Sequence, residues 1–439
     1  MKRYKYFSLL ITVLLGSCSG ISTLSPTVTS TPSSSNTSKP TFASEPTNTP
    51  DPKEALSHYG LIAYSANIDG NEDIFTIYAD GGNQKNITNN PARDMDPAWS
   101  PDGKKIAFVS LRNGNAHIFV MNFDGSDAIQ LTDGTASEYY FSWSPNEQKI
   151  AYVSYPDDSN VYIAKLIVMD ASGGNKTVIT DKLFSEYEVR GWSPDSKNLV
   201  YTIPDGYSGA GLYIASADGV NLSKWDDLSY IDEIHWLNDK NFIAYSRFAW
   251  KKGQSLIQEL GTDGSRTDFH IFDSTIITVF DKTYVTQNQD GLKWFTLTSP
   301  PMLLNSCNNC FGDDYVGVDF YVSPDKKFAF VIALYQNTSN SSSSFFLMNE
   351  DGSVIQQVGA SHYNDLQLLK VGWSPDSKYV TIIITGHTLT PDGHETLTET
   401  GDIYLFDIQR ILKDPSTQPI QLTTDGVGKP WGPKWQPIQ

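Results

Sequence analysis

Histidine and cysteine are scarce. Seven histidines and three cysteines in 439 residues leave little for a multi-histidine metal centre or a cysteine framework. His387, His394 and Glu395 share a polar insertion, but their spacing fits neither one helix face nor a finger, so no metal site is expected. Helical periodicity is nearly absent; the strongest candidate, IYLFDIQRILKD at 403–414, reads as a continuation of a strand. No apolar run is long enough to span a bilayer. Basic residues are outnumbered, 32 Lys and Arg against 50 Asp and Glu, for a formal charge of −18. That sign argues against nucleic acid as a partner and favours cationic ligands. Catalytic patterns are missing too. GYSGA at 206–210 approaches a nucleophile elbow, but Ala210 replaces the last glycine and the segment joins two strands. Asn67, Asp69, Asn71 and Asp73 alternate like a calcium loop, yet the glycine falls at position 70 and no glutamate follows at the twelfth place, so a structural turn is expected. Neither a catalytic residue nor a cofactor is expected.

What is abundant is one phrase. PAWSPDGKKIAFVS at 97–110, FSWSPNEQKIAYVS at 141–154, GWSPDSKNLVYT at 191–202 and GWSPDSKYVTIII at 371–384 each give an aromatic anchor, a Ser-Pro turn and an alternating strand. About twenty residues on, Asp-Gly pairs at 80, 124, 218, 263 and 351 mark a tight hairpin. Closing strands end in NIT, QLT or VIT. A repeat of about 45 residues built this way reads as a four-stranded propeller blade. The anchors are Trp99, Trp143, Trp192, Trp236, Phe320, Trp373 and Trp435. The gap between Trp236 and Phe320 holds a degenerate unit, TIITVF to GLKWFTLT. Trp435 has no room for strands after it, so it is expected to complete the blade begun by LIAYSA at 61–66. The expectation is an all-β propeller of eight blades over 58–439, or seven if the degenerate unit is an insertion.

The copy at 87–132 resembles, from end to end, the TolB-type, WD40-like repeats known as PD40. The resemblance implies a propeller that serves as a binding platform. It does not carry over TolB's periplasmic partnership with a Pal-type lipoprotein, since TolB has six blades and a small α/β domain that has no counterpart here. The same repeat gates prolyl-oligopeptidase-type enzymes, which need a separate hydrolase domain. Oligogalacturonate-lyase-like propellers resemble it as well and imply the enzyme alternative, a polysaccharide lyase or hydrolase. They require a histidine-rich metal site, and only His235 falls in the loops considered below. A structural partner of an envelope complex is the third reading.

The start, MKRYKYFSLLITVLLGSC, has a basic head and a short apolar run, as a secretion signal does. Leu15-Gly16-Ser17-Cys18 resembles a bacterial lipobox, which implies a signal peptide at 1–17 and lipid on Cys18. Residues 18–57 are Ser/Thr/Pro-rich, with few core-forming residues, and read as a disordered tether. The expected location is extracytoplasmic, anchored to a bacterial membrane. Cys307 and Cys310 form CNNC, most simply a local disulfide in an exported protein.

The loops entering the anchor strands set tyrosine beside acids: SEYYFSW, SEYEVRGW, SYIDEIHW and DDYVGVDF. Repetition in register gathers them at one mouth of a closed ring. The candidate ligand-binding residues are Glu138, Tyr139, Glu186, Tyr187, Glu188, Tyr230, Asp232, Asp314 and Tyr315, joined by Arg93, Asp94 and Asp96. Rings and carboxylates suit a sugar, a cationic peptide or a loop of an envelope protein. The acids are expected to face solvent. The alternative is that the tyrosines only pack between blades.

Overall fold

In the computed structural model the Ser-Pro segments close hairpins as their side chains dictate. Ser100 Oγ donates to Asp102 Oδ1 (2.7 Å) and accepts from Lys105 N (2.9 Å). The pair recurs as Ser144 with Asn146, Ser193 with Asp195, Ser323 with Asp325 and Ser374 with Asp376. One turn residue is left-handed each time: Gly103, Glu147, Ser196, Lys326 and Ser377. The structure describes residues 60–437 except 69, 157–163, 184–188, 205–209, 226–230, 232, 250–253, 273–274, 281–282, 289–290, 297–301, 308–314, 337–340, 354, 365–370, 390–394 and 424–430. The leader, Cys18 and the tether thus lie outside the described residues, as does Cys310; Cys307 is disulfide-bonded. No helix among the described residues is long and apolar enough to cross a membrane.

The strands form eight four-stranded antiparallel sheets. Blade 1 is composite: Trp431–Trp435 lies inside Leu61–Ile68, followed by Asn71–Tyr78 and Lys85–Asn86. Trp435 stands opposite Ile62. The other blades run in chain order from the inner strand outward. Their inner strands are Asp94–Trp99, Ser137–Trp143, Val189–Trp192, Glu233–Trp236, Thr275–Val279, Tyr315–Val322 and Val371–Trp373. The degenerate unit is a full blade 6, completed by Thr283–Asn288, Gly291–Thr296 and Leu303–Cys307, which rules out seven blades. In blade 8 a short helix, Ile408–Lys413, replaces the Asp-Gly hairpin. Asp407 caps it by accepting from Arg410 N at 3.0 Å.

The core lies between blades. Eight apolar clusters each join two neighbours, and the eighth joins blade 8 to blade 1, so the ring is closed. Period-two alternation explains how one strand serves two seams. In blade 2, Ile106 and Phe108 pack toward blade 1 and Ala107 toward blade 3. In blade 3, Ile150 and Tyr152 face blade 2 while Ala151 and Val153 face blade 4. Each buried Ile, Leu or Phe side chain stabilises by about 1.5–3 kcal/mol, so the seams dominate the stability of the ring.

Two further contacts set blade spacing. The anchor indoles donate backward to a backbone carbonyl of the preceding blade's inner strand. Trp99 reaches Lys434 O (2.9 Å), Trp143 reaches Ala98 O (3.2 Å), Trp373 reaches Tyr321 O (2.7 Å) and Trp435 reaches Gly372 O (3.1 Å). The inner edge has no strand beyond it, so these bonds satisfy carbonyls the sheets leave open. Trp192 reaches Ser142, while Trp236 Nε1 is buried without an acceptor among the described residues. Phe320 packs in the seam between blades 6 and 7. On the outside, the Asp-Gly glycines touch the previous blade. A Cβ on Gly81 would lie 3.0 Å from Leu422 O, and one on Gly125 would collide with Ile87 O.

Strand direction divides the connections. Turns from strand 1 to 2 and from 3 to 4 lie on one face, here the turn face. Hairpins from strand 2 to 3, and the links between blades, lie on the other, the mouth.

Candidate binding mouth

Position three before the anchor is left-handed in three successive blades: Gly432 (φ 56), Asp96 (φ 55) and Tyr140 (φ 51). The strand register slips at the same place, between Ala63 and Ser65, Met95 and Ala98, and Tyr139 and Ser142. Each is a β-bulge, which re-aims a side chain at the rim. Asp96 is exposed, and Tyr140 is 47% exposed. Tyr139 packs its ring against Tyr140 (6.3 Å between centroids) and edge-on to Tyr155 (6.1 Å). The mouth of blade 3 therefore carries three adjacent tyrosines, and blade 2 beside it carries an exposed carboxylate.

The residues five before the anchor behave differently. Asp94 is fully buried and Glu138 is 4% exposed, so the expectation that these acids face solvent is corrected. The reason is that each has a polar partner of its own, Arg112 for Asp94 and His117 for Glu138. A buried carboxylate costs several kcal/mol unless paired. Asp94 Oδ2 accepts from Arg112 (2.9 Å), whose guanidinium lies over the rings of Phe119 (4.7 Å) and Phe108 (5.4 Å). Burial pushes the Asp94 carboxyl above its ordinary value, against the pull of Ser110 and Arg112. Glu138 meets His117 Nδ1 at 2.8 Å across the seam between blades 2 and 3, and Ser154 Oγ at 3.4 Å. Burial, then the charges of Glu138 and Asp133, push the Tyr152 phenol up. Arg93, exposed along its side chain, pairs with the buried Glu72 of blade 1.

Sequence reasoning passed over Glu72, Arg112 and His117. One signal was present. Aligning NEDIF with NAHIF places His117 where blade 1 has Asp73, and GDIYLF places Asp402 there in blade 8. Asp73 accepts from Asn86 (2.8 Å) and Thr88 (3.1 Å), and Asp402 from Gln421 (2.9 Å) and Thr423 (3.0 Å). The position ties the third strand to the fourth. Both Asp73 oxygens thus accept hydrogen bonds from the fourth strand's side, and Asp69 lies outside the described residues. In blade 2 histidine breaks that tie and turns to Glu138 instead.

Of the remaining candidates, Glu186, Tyr187, Glu188, Tyr230, Asp232 and Asp314 lie outside the described residues, as does the side chain of Tyr315. His235 is stacked on Tyr245 at 6.2 Å and 6°. No group of three His, Cys, Asp or Glu positioned to hold a metal occurs among the described residues. Chemically, the described bulge positions offer aromatic faces and, at Asp96, an exposed carboxylate.

The TolB beta propeller domain model, PD40, matches residues 30–230. Within that range the chain carries TolB-type PD40 repeats. It is 38% identical over 53 residues to a protein named "Protein TolB homolog" from Chlorobium luteolum, a stretch that spans 12% of either chain. Among solved structures it is similar to TolB from Acinetobacter baumannii, at 14% identity and a TM-score of 0.42, over 86% of this chain and 67% of that one. It is also similar to a eukaryotic initiation factor, at 12% identity and a TM-score of 0.49, over 86% and 98%. A third is the β-propeller domain of the Trilobed protease from Pyrococcus furiosus, at 12% identity and a TM-score of 0.44, over 76% and 96%.

Proposed function

We propose that the protein is a lipid-anchored, extracytoplasmic propeller that binds a cationic segment of an envelope protein at its mouth. The observation that carries this is the pair of bulges presenting Asp96 and Tyr140 at equivalent, exposed positions on the inner strands of neighbouring blades. A carboxylate beside aromatic faces attracts an ammonium or guanidinium group by charge and by cation–π contact. Asp94, Glu138 and Glu72 already have partners in Arg112, His117 and Arg93, so the paired acids hold the scaffold and the bulge residues hold the ligand. Turn-face charge supports the same polarity. There the acids meet lysines locally, as Asp102 meets Lys104 and Asp376 meets Lys378. Lipid on Cys18 and the tether at 18–57 would hold this surface off a membrane.

The test is site-specific crosslinking in whole cells. A photoreactive phenylalanine analogue at position 140 should capture a defined partner. The same analogue at Phe123, exposed on the turn face, should not. Capture from position 123 alone would place binding on the wrong face. Cys18→Ser should move the protein from the membrane fraction to the soluble one; a variant that stays at the membrane refutes the anchor.

A further inference from the structure

Large apolar side chains are exposed singly around this ring, at Phe123, Ile129, Tyr140, Val178, Val220 and Leu237. Scattered exposure of that kind is ordinary. Blade 6 is different. Met302, Leu303 and Leu304 are consecutive and 65%, 56% and 44% exposed. They lead into Leu303–Cys307, the outermost strand of the sheet. Its inner side pairs with Gly291–Thr296, Leu303 opposite Phe295 and Cys307 opposite Leu292. Its outer side has no partner strand among the described residues.

Successive side chains of a strand point to opposite faces. Leu303 and Leu304 therefore put apolar surface on both sides of a bare edge of backbone donors and acceptors. Natural edges are blunted by shortness or by charge, and six of the other seven outer strands follow that rule. Lys85–Asn86, Ile129–Gln130 and Ile420–Gln421 are two residues long. Thr177–Leu183, Asn221–Trp225 and Arg266–Phe272 carry charges, and the uncharged Ile355–Asn364 exposes Gln357, with no large apolar side chain exposed among its described residues. Leu303–Cys307 has neither defence. It is also held firm: Cys307 is disulfide-bonded and packs in the seam between blades 6 and 7. A rigid edge loses little freedom when it binds.

We propose that this edge accepts an extended apolar strand from another protein, which adds a fifth strand to blade 6. The bare ladder calls for a strand, and apolar side chains on both faces call for apolar residues at alternate positions. A second copy of the chain is a poor occupant. Three side chains offer on the order of 300 Å², well short of the roughly 1,000 Å² that a stable interface needs. Two copies would also bring formal charges of −18 together. The occupant is therefore a short strand, neutral or cationic. This inference does not depend on the mouth.

The experiment uses the full-length protein and a fluorescein-labelled probe, the peptide Thr-Val-Ile-Val-Thr-Lys, read by anisotropy. Saturable binding is expected, at least tenfold weaker in Leu303→Lys/Leu304→Lys and weaker also in Leu303→Thr/Leu304→Thr, which keeps strand preference without the leucines. The same peptide N-methylated at alternate amides should not bind, because one edge of its backbone is blocked. Absence of wild-type binding, equal binding by the lysine variant, or equal binding of the N-methylated peptide each overturns the proposal. So does a wild-type dimer in sedimentation velocity that the lysine pair dissociates, since the occupant would then be a second copy.

Discussion

Gly125 and Gly114 offer a comparison that isolates the contact between blades. Both are left-handed, at φ 91 and φ 95. A methyl group on Gly114 meets nothing within 4 Å, while one on Gly125 collides with the carbonyl oxygen of Ile87 in blade 1. Gly114→Ala should therefore cost only the backbone term, about 1–2 kcal/mol for an L-residue in that region. Gly125→Ala adds a clash with backbone that cannot rotate away. Forced shifts of that kind cost roughly 1–3 kcal/mol more, for a total of about 2–5. Ile87 itself is fixed, since its N–H donates to Ile74 O at 2.9 Å. The assay is urea unfolding followed by tryptophan fluorescence, with the midpoint compared at constant slope. Equal midpoints for the two variants would show that the Asp-Gly glycine serves its own hairpin alone, and the account of blade spacing would fail.

Three other outcomes follow from the same geometry. Trp143→Ala, which empties part of the seam between blades 2 and 3 and frees Ala98 O, should cost about 3–5 kcal/mol; an unchanged melting temperature would contradict the anchor role. Removing one partner of the buried hydrogen bond, as in Glu138→Ala, should cost about 1–3 kcal/mol, while the double variant with His117→Ala should recover part of that, as a double-mutant cycle would reveal. The third concerns pH. The Asp124, Asp263 and Asp351 carboxyls sit below their usual range because the hydroxyls of Ser126, Ser265 and Ser353 bond them. A lowered folded value means stability present above about pH 4 and lost as pH falls through it. Melting temperature should drop on acidification, and the triple Asp→Asn variant should drop less; identical acid profiles would refute the cause.

The blade count was legible because the contacts that define a blade fall inside one period. Ser100 bonds Asp102, and Asp124 bonds Ser126, two residues apart in each case, so any copy displays them. The degenerate blade 6 hides its Ser-Pro turn, yet Phe280 and Trp294 still fill its seam with blade 7. The mouth was less legible because its pairings cross between blades. Glu138 meets His117 twenty-one residues back, and Glu72 meets Arg93 at the same separation. A reading that compares loops with loops finds Asp94, Glu138 and Arg93 and misses their partners Arg112, His117 and Glu72, which sit on strands. Hence the acids were expected in solvent when two of the three described are buried.

That crossing also separates stability from recognition at the mouth. In SEYYFSW the glutamate five before the anchor turns into the seam, and the tyrosine three before it turns out through the bulge. The same division holds in DMDPAW, where Asp94 is buried and Asp96 exposed. Two residues apart on one strand, equal chemistry receives opposite environments from a single left-handed residue. Asp96 and Tyr140 belong to none of the ion pairs described above, whereas changing Asp94 or Glu138 leaves Arg112 or His117 without its partner. The outward positions can therefore vary from blade to blade without loosening the ring, and it is among them that a ligand would find its specificity.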